Sequence, residues 1–193
     1  ELGPEYGFTV TVVERIGGEE ISSTRIRQLL AEGDVRVAAD LLGRWHTLSG
    51  RVETGAGRGR NLGFPTANLA IPPALAIPAD GIYAAHAALE RDGEWLPALV
   101  YIGTRPTFSE AGRVVEVFLL DFTGDLYGSE VTVRFLERIR GDMTFESPEA
   151  LTEQMHADEA AARRIFAEFE NMSNPSGAHA PRTSGREAER GHD

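Results

Sequence analysis

Between Trp45 and Arg138 the chain is a series of short apolar, β-branched runs punctuated by Gly and Pro. They fall at 45–54 (WHTLSGRVET), 82–90 (IYAAHAALE), 95–102 (WLPALVYI), 114–122 (VVEVFLLDF) and 130–138 (EVTVRFLER), with a further short one around 64–70. Five or six short strands at hairpin spacing, with no helix between them, argue for an antiparallel barrel or sandwich.

The flanks read differently. Residues 8–13 (FTVTVV) have the character of one short strand, and 21–43 reads as two short helices. Ser22 or Ser23 caps the first, Gly33 ends it, and Asp34 opens the second. These elements cannot bury a core alone, so 1–43 is expected to be the remnant of a preceding domain, with a principal domain over 44–170. After the last strand comes one helix, with Ser147 as N-cap and Pro148 at its first position. Leu151, Met155, Ala162, Ile165, Phe166 and Phe169 recur on it at helical spacing and are expected to pack on the strands. The stretch 171–193 has almost nothing to bury and is expected to be a disordered tail.

Charge and composition remove several classes of function. The formal net charge is −11, which disfavours nucleic acid and anionic membrane as partners. All 19 basic residues are arginine, so an anion can be held only by guanidinium groups or backbone amides. The absence of cysteine excludes disulfides, thiolate catalysis and cysteine-bound zinc. No apolar run approaches the ~18 residues of a membrane span and no signal peptide opens the chain, so a cytoplasmic location is expected.

The stretch GAGRGRNLGFPTANL (55–69) is the richest in chemistry. It is not a P-loop, having no lysine, and not a GxGxxG turn, because Arg60 stands where the third glycine would fall. Gly57, Gly59 and Gly63 would let backbone N–H groups approach an anion, while Arg58 and Arg60 supply charge. An ordinary hairpin loop with solvated arginines is the competing reading. Pro65 stiffens the backbone at this point, so the Thr66 hydroxyl and Asn68 amide oxygen project from one face of an extended segment. Hard oxygens so presented suit Mg²⁺ with phosphate oxygens as its other partners. A plain Pro-Thr turn would look similar.

Glu116 is the sharpest single residue. Its neighbours on either strand face are apolar, so its carboxylate either has a structural partner, such as Arg134, or a task. Asp121, five positions on, would face the other way, which argues against a paired-carboxylate glycosidase site. His46 and His86 read as packed or surface strand residues, and no histidine has metal-ligand spacing.

Taken in order, GRGRNLGFPTANL, DGIYAA, YIGTRPTF, VVEVFLLDF, DLYG and IRGDMTFESPEALTEQMHADEAAARR resemble riboflavin kinases. The nearest likeness is to the kinase module of bacterial bifunctional riboflavin kinase/FAD synthetases, and ISSTRIRQLL resembles the end of the preceding FMN adenylyltransferase module. The resemblance implies a six-stranded antiparallel Greek-key barrel with a C-terminal helix, converting riboflavin and ATP to FMN and ADP. It implies that Gly57, Arg58, Gly59, Arg60, Gly63 and Phe64 close over ATP, and that Thr66 and Asn68 hold phosphates and metal. Glu116 would be the base for the ribityl 5′-hydroxyl. The flavin would lie between barrel and helix, near Asn68, Glu116 and Arg140. Mg²⁺ is the implied cofactor, with Zn²⁺ the alternative, and ATP and riboflavin are the substrates.

Three positions depart from the family pattern: Tyr101 replaces a usual asparagine, Phe118 a frequent histidine and Asp142 a usual glutamate. The adenylyltransferase half needs an HxGH-type signature that these residues lack, so FAD synthesis is expected only with that module in cis. Homo-oligomeric assembly is left open. The alternative to a kinase is a non-catalytic flavin- or nucleotide-binding regulatory module, and turnover separates the two.

Overall fold

The computed structural model describes residues 6–7, 9, 21–53, 64–89, 93–104 and 113–173. Apart from Thr9, the strand expected at 8–13 lies outside these residues, as do the glycine-arginine loop and the tail beyond 173.

Six strands form a closed barrel: β1 (Thr47–Glu53), β2 (Ala67–Ala70), β3 (Gly81–Ala88), β4 (Leu96–Thr104), β5 (Arg113–Leu119) and β6 (Glu130–Gly141). Their order around the barrel is β1-β2-β5-β4-β3-β6, and every neighbouring pair is antiparallel. Three consecutive strands, β3, β4 and β5, form a meander. β2 joins its free side at β5, and β6 closes the ring between β3 and β1. Closure leaves no unpaired strand edge among the described residues.

Alternation along each strand puts one set of side chains inside the barrel. Val115, Val117 and Leu119 of β5 are buried, while Val114, Glu116 and Phe118 between them are half-exposed. Ala67 and Leu69 of β2 point inward, and Asn68 outward. Larger rings fill the middle: Tyr83 meets Phe135 edge-to-face at 5.4 Å, and the Tyr83 hydroxyl donates to the Ala79 carbonyl at 2.6 Å.

Two short helices, α1 (Ser23–Glu32) and α2 (Val35–Leu42), precede the barrel. Ser22 caps α1 by accepting from the Arg25 amide at 3.2 Å, and Gly33 ends it in the left-handed conformation. Asp34 opens α2 without a side-chain cap bond. The apolar faces of the two helices supply Leu29, Leu30, Val35 and Ala38 to the same core cluster as the strand residues. Arg36 pairs with Glu137 of β6 at 3.0 Å. Arg138 ties the helices to the barrel, donating to the Glu32 carbonyl at 3.1 Å and the Asp80 carbonyl at 2.6 Å.

The last helix, α3 (Pro148–Ser173), belongs to a separate compact unit that begins at Phe145. Ser147 Oγ accepts from the Ala150 amide at 3.2 Å, the N-cap expected from sequence. The helix runs three residues, to Ser173, into the stretch expected as tail.

His46 and His86 are both packed. The His46 ring stacks on Phe135 at 5.9 Å and its Nε2 meets the Ala76 carbonyl at 2.8 Å. Arg134 donates to His86 Nδ1 at 3.1 Å and lies over the Trp95 ring at 4.3 Å. Burial, then the neighbouring guanidinium, lowers the His86 pKa to about 4, and burial lowers that of His46. A histidine whose pKa is lower folded than unfolded keeps the native state neutral while the unfolded chain takes up a proton. Stability should therefore be highest above the ordinary histidine value near 6.5 and should decline as pH falls towards 4. The midpoint of thermal unfolding should drop between pH 7 and pH 5, and His86→Gln should make that drop shallower. An equal drop in both proteins would refute the assignment.

Candidate functional site

Strand register builds the site. Asn68 of β2 lies directly across from Glu116 of β5, and Glu116 across from Tyr101 of β4. Tyr101 in turn faces Ile82 of β3, and Ile82 faces Arg140 of β6. The five therefore form one row on the outside of the barrel, each half-exposed. Directly opposed side chains on adjacent strands sit ~5 Å apart at Cβ, so the row is a continuous track spanning roughly 19 Å over four strand spacings. Three residues singled out in the sequence, Asn68, Glu116 and Arg140, thus share one surface although 72 positions separate the first from the last.

Thr66 joins the row just before β2. Its hydroxyl donates to Glu116 Oε2 at 3.0 Å. Thr66 and Asn68 are both half-exposed on either side of buried Ala67, and both meet Glu116 from the β2 side, Thr66 through its hydroxyl and Asn68 across the strand register. Pro65 and Phe64 hold the start of this segment: Phe64 is 4% exposed and packs edge-to-face on Phe118 at 5.1 Å. Phe64 and Phe118 therefore act here as support for the Thr66 backbone. Gly57, Arg58, Gly59, Arg60 and Gly63 lie outside the described residues.

Two sequence readings are corrected. Arg134, weighed as a structural partner of Glu116, is six residues along β6 from the row, roughly 20 Å away in an extended strand, and is engaged with His86 and Trp95. Asp121 does not lie on the strand: β5 ends at Leu119, and Asp121 is an exposed turn residue with φ of 57°. Leu120 still donates its amide to the Pro97 carbonyl at 2.9 Å, the next rung of the β4–β5 register, and the chain turns at Asp121 just beyond it.

In the sequence Tyr101 stands out only as a departure from a pattern. In the structure the Asp142 carboxylate lies near its hydroxyl, so two of the three departures are neighbours. Burial, followed by the carboxylates of Asp142, Glu116 and Asp80, raises the phenol pKa above its usual value. The one available signal was the spacing of Tyr101 and Glu116 across the 105–112 connection, which becomes informative only once the hairpin register is known. Arg113 fixes the nearby end of the barrel. It donates to Asp80 at 2.5 Å, to the Ile77 carbonyl at 3.1 Å and to the Pro78 carbonyl.

The donor set can be tested against a cation. Among the described residues, no group of three or more His, Cys, Asp or Glu could hold a metal ion. Thr66 and Asn68 offer neutral hard oxygens beside a single carboxylate, which fits Mg²⁺ only if phosphate oxygens and water complete its shell. Such an ion would arrive with a polyphosphate.

The riboflavin kinase (flavokinase) family profile matches residues 42–166. A bifunctional riboflavin kinase/FMN adenylyltransferase of Escherichia coli (strain K12) is 40% identical over 168 residues, which is 86% of this chain and 53% of that protein. The protein of the same description from Bacillus subtilis (strain 168) is 38% identical over 161 residues, 81% of this chain and 50% of that one. The chain thus spans about half the length of the curated relatives it matches. A solved structure described as a macrolide-efflux protein from Streptococcus pneumoniae aligns with a TM-score of 0.69 and 40% identity, covering 74% of this chain and 46% of that one. Among the described residues no helix is long and apolar enough to cross a membrane.

Proposed function

The chain belongs to the riboflavin kinase family, and from that premise we propose that it transfers the terminal phosphoryl group of ATP to the 5′-hydroxyl of riboflavin, giving FMN and ADP. The observation that carries the reading is the Thr66–Glu116 hydrogen bond at the head of the outer row. It sets a carboxylate that can take a proton beside a hydroxyl and an amide that can face phosphate.

In this reading the ATP phosphates lie over Thr66 and Asn68, with Gly57, Arg58, Gly59, Arg60 and Gly63 closing above them. The acceptor 5′-oxygen approaches Glu116, loses its proton to that carboxylate and bonds to the γ-phosphorus. The bond from the γ-phosphorus to the bridging oxygen breaks, and ADP leaves with the electron pair. Thr66 and Asn68 would hold Mg²⁺, which supplies charge neutralisation at the phosphates. Oxygen-only ligands favour Mg²⁺ over Zn²⁺. Phosphoryl transfer of this kind asks little of the protein beyond positioning and charge. Arg140 is the flavin-side contact at the far end of the row. The adenylyltransferase module that the curated relatives' names include would act in cis, and FAD formation belongs to that longer protein.

Release of ADP that depends on riboflavin is the test. ADP appearing only when riboflavin and Mg²⁺ are both present supports a kinase, whereas riboflavin that binds without any ADP release supports a non-catalytic binding module. Thr66→Ala should lower turnover roughly tenfold, the effect of losing a hydrogen bond to a charged group, with the fold unchanged. Turnover equal to the parent's would remove Thr66 from the mechanism.

A further inference from the structure

The row from Asn68 to Arg140 contains one polar side chain to which the reaction above gives no task, Tyr101. We propose that Tyr101, folded over Gly103, is a specificity-determining residue that forms a fixed aromatic platform under the first carbons of the alcohol acceptor. The proposal rests on the kinase reading and deepens it, because it says which way the acceptor lies.

In an in-line displacement the attacking and leaving oxygens lie on opposite sides of the phosphorus. The row has Thr66 and Asn68 on one side of Glu116 and Tyr101 on the other. With the donor phosphates on the first side, the body of the acceptor must extend over Tyr101, then Ile82, towards Arg140. An acceptor with a terminal primary hydroxyl on a flexible polyol chain suits this track, because its C–H faces can lie on an aromatic ring while its hydroxyls stay outward.

The ring is held in place by its own strand. It folds along β4 over Gly103, two residues on: a Cβ built at 103 would come within 2.0 Å of the Tyr101 hydroxyl and 2.3 Å of its Cζ. Only glycine at 103 lets the ring lie there. The hydroxyl then lies near the Asp142 carboxylate, just past the end of β6. A phenol, ordinarily protonated up to about pH 10, can donate at neutral pH. A platform fixed in this way limits the conformations open to a flexible acceptor, so its effect should fall on acceptor affinity and leave the donor alone.

The test measures riboflavin dissociation by flavin fluorescence and, separately, KM for riboflavin, KM for ATP and kcat, in variants of the full chain. Tyr101→Ala should weaken riboflavin binding about tenfold and raise its KM to match, with KM for ATP unchanged. Gly103→Ala keeps the tyrosine but displaces its ring, and should reproduce the loss. Asp142→Asn, whose amide oxygen can still accept from a phenol, should behave like the parent. Tyr101→Phe preserves the volume if the alanine variant does not fold, and should lie between that variant and the parent. Parent-like riboflavin affinity in Tyr101→Ala or Gly103→Ala overturns the proposal, as does a rise in both KM values together, which would mark a general structural role. A parent that binds riboflavin without forming FMN refutes the kinase reading alone, and the variants' dissociation constants still decide the platform.

Discussion

Glu116→Gln should abolish nearly all FMN formation, by about 10²–10⁴-fold, while riboflavin and ATP still bind. The substitution is nearly isosteric, and the amide oxygen can still accept from the Thr66 hydroxyl that now meets the carboxylate at 3.0 Å. Packing from Val115 and Val117, which point into the barrel on either side, is untouched. What the amide cannot do is accept a proton from the attacking hydroxyl. The loss should therefore appear in kcat, with dissociation constants for both substrates close to the parent's. Steady-state kinetics beside fluorescence titration decides the point. If Glu116→Gln turned over within threefold of the parent, Glu116 would be a structural residue and the base would lie elsewhere.

The second large effect expected is on stability. Gly81 opens β3 with φ of +152°, a conformation that L side chains rarely adopt. A Cβ there would come within 2.3 Å of the Arg140 carbonyl oxygen and 3.0 Å of Arg138 Nε. The first is backbone in the adjacent strand and cannot rotate away. Gly81→Ala should therefore cost about 3–5 kcal/mol, combining backbone strain with a forced shift of β6. For a chain of this length that corresponds to a fall of roughly 6–20 °C in thermal midpoint. Because Arg140 is the far end of the row, riboflavin affinity should fall as well. Gly141→Ala is the control: its nearest side-chain neighbour is Arg138 Nη2 at 3.6 Å, an ordinary contact, and its midpoint should shift by a few degrees at most. Equal midpoints for the two variants would show that the strand tolerates the added carbon at 81.

Local chemistry set the limit of what could be read from sequence. β-Branched runs gave strands within a few residues of their observed limits, because inward and outward alternation leaves a period of two in the residues themselves. Ser22, Gly33 and Ser147 were legible as helix ends for the same reason: each acts on atoms three or four positions away. Thr66 and Asn68 were legible as a pair, since two residues of extended chain suffice to place them. The nearness of Tyr101 and Asp142 was not, because it depends on a strand register that no local pattern specifies. Asp121 was misread because a continuous apolar run hid the end of β5 at Leu119 and the turn that follows at Asp121. The helices α1 and α2 looked like fragments without a core. Leu29, Leu30 and Val35 lie in the same buried cluster as the strand residues, and Arg138, over a hundred positions away, holds the end of α1.

The most direct measurement tracks the phosphorus. The chain is incubated with riboflavin, Mg²⁺ and ATP labelled in the γ-phosphate, and the flavins are separated by chromatography. The outer row with Glu116 at its reacting end predicts label in a flavin that co-migrates with FMN, in a one-to-one ratio with ADP. Label found only in ATP or inorganic phosphate, with riboflavin returned unchanged, would contradict the account.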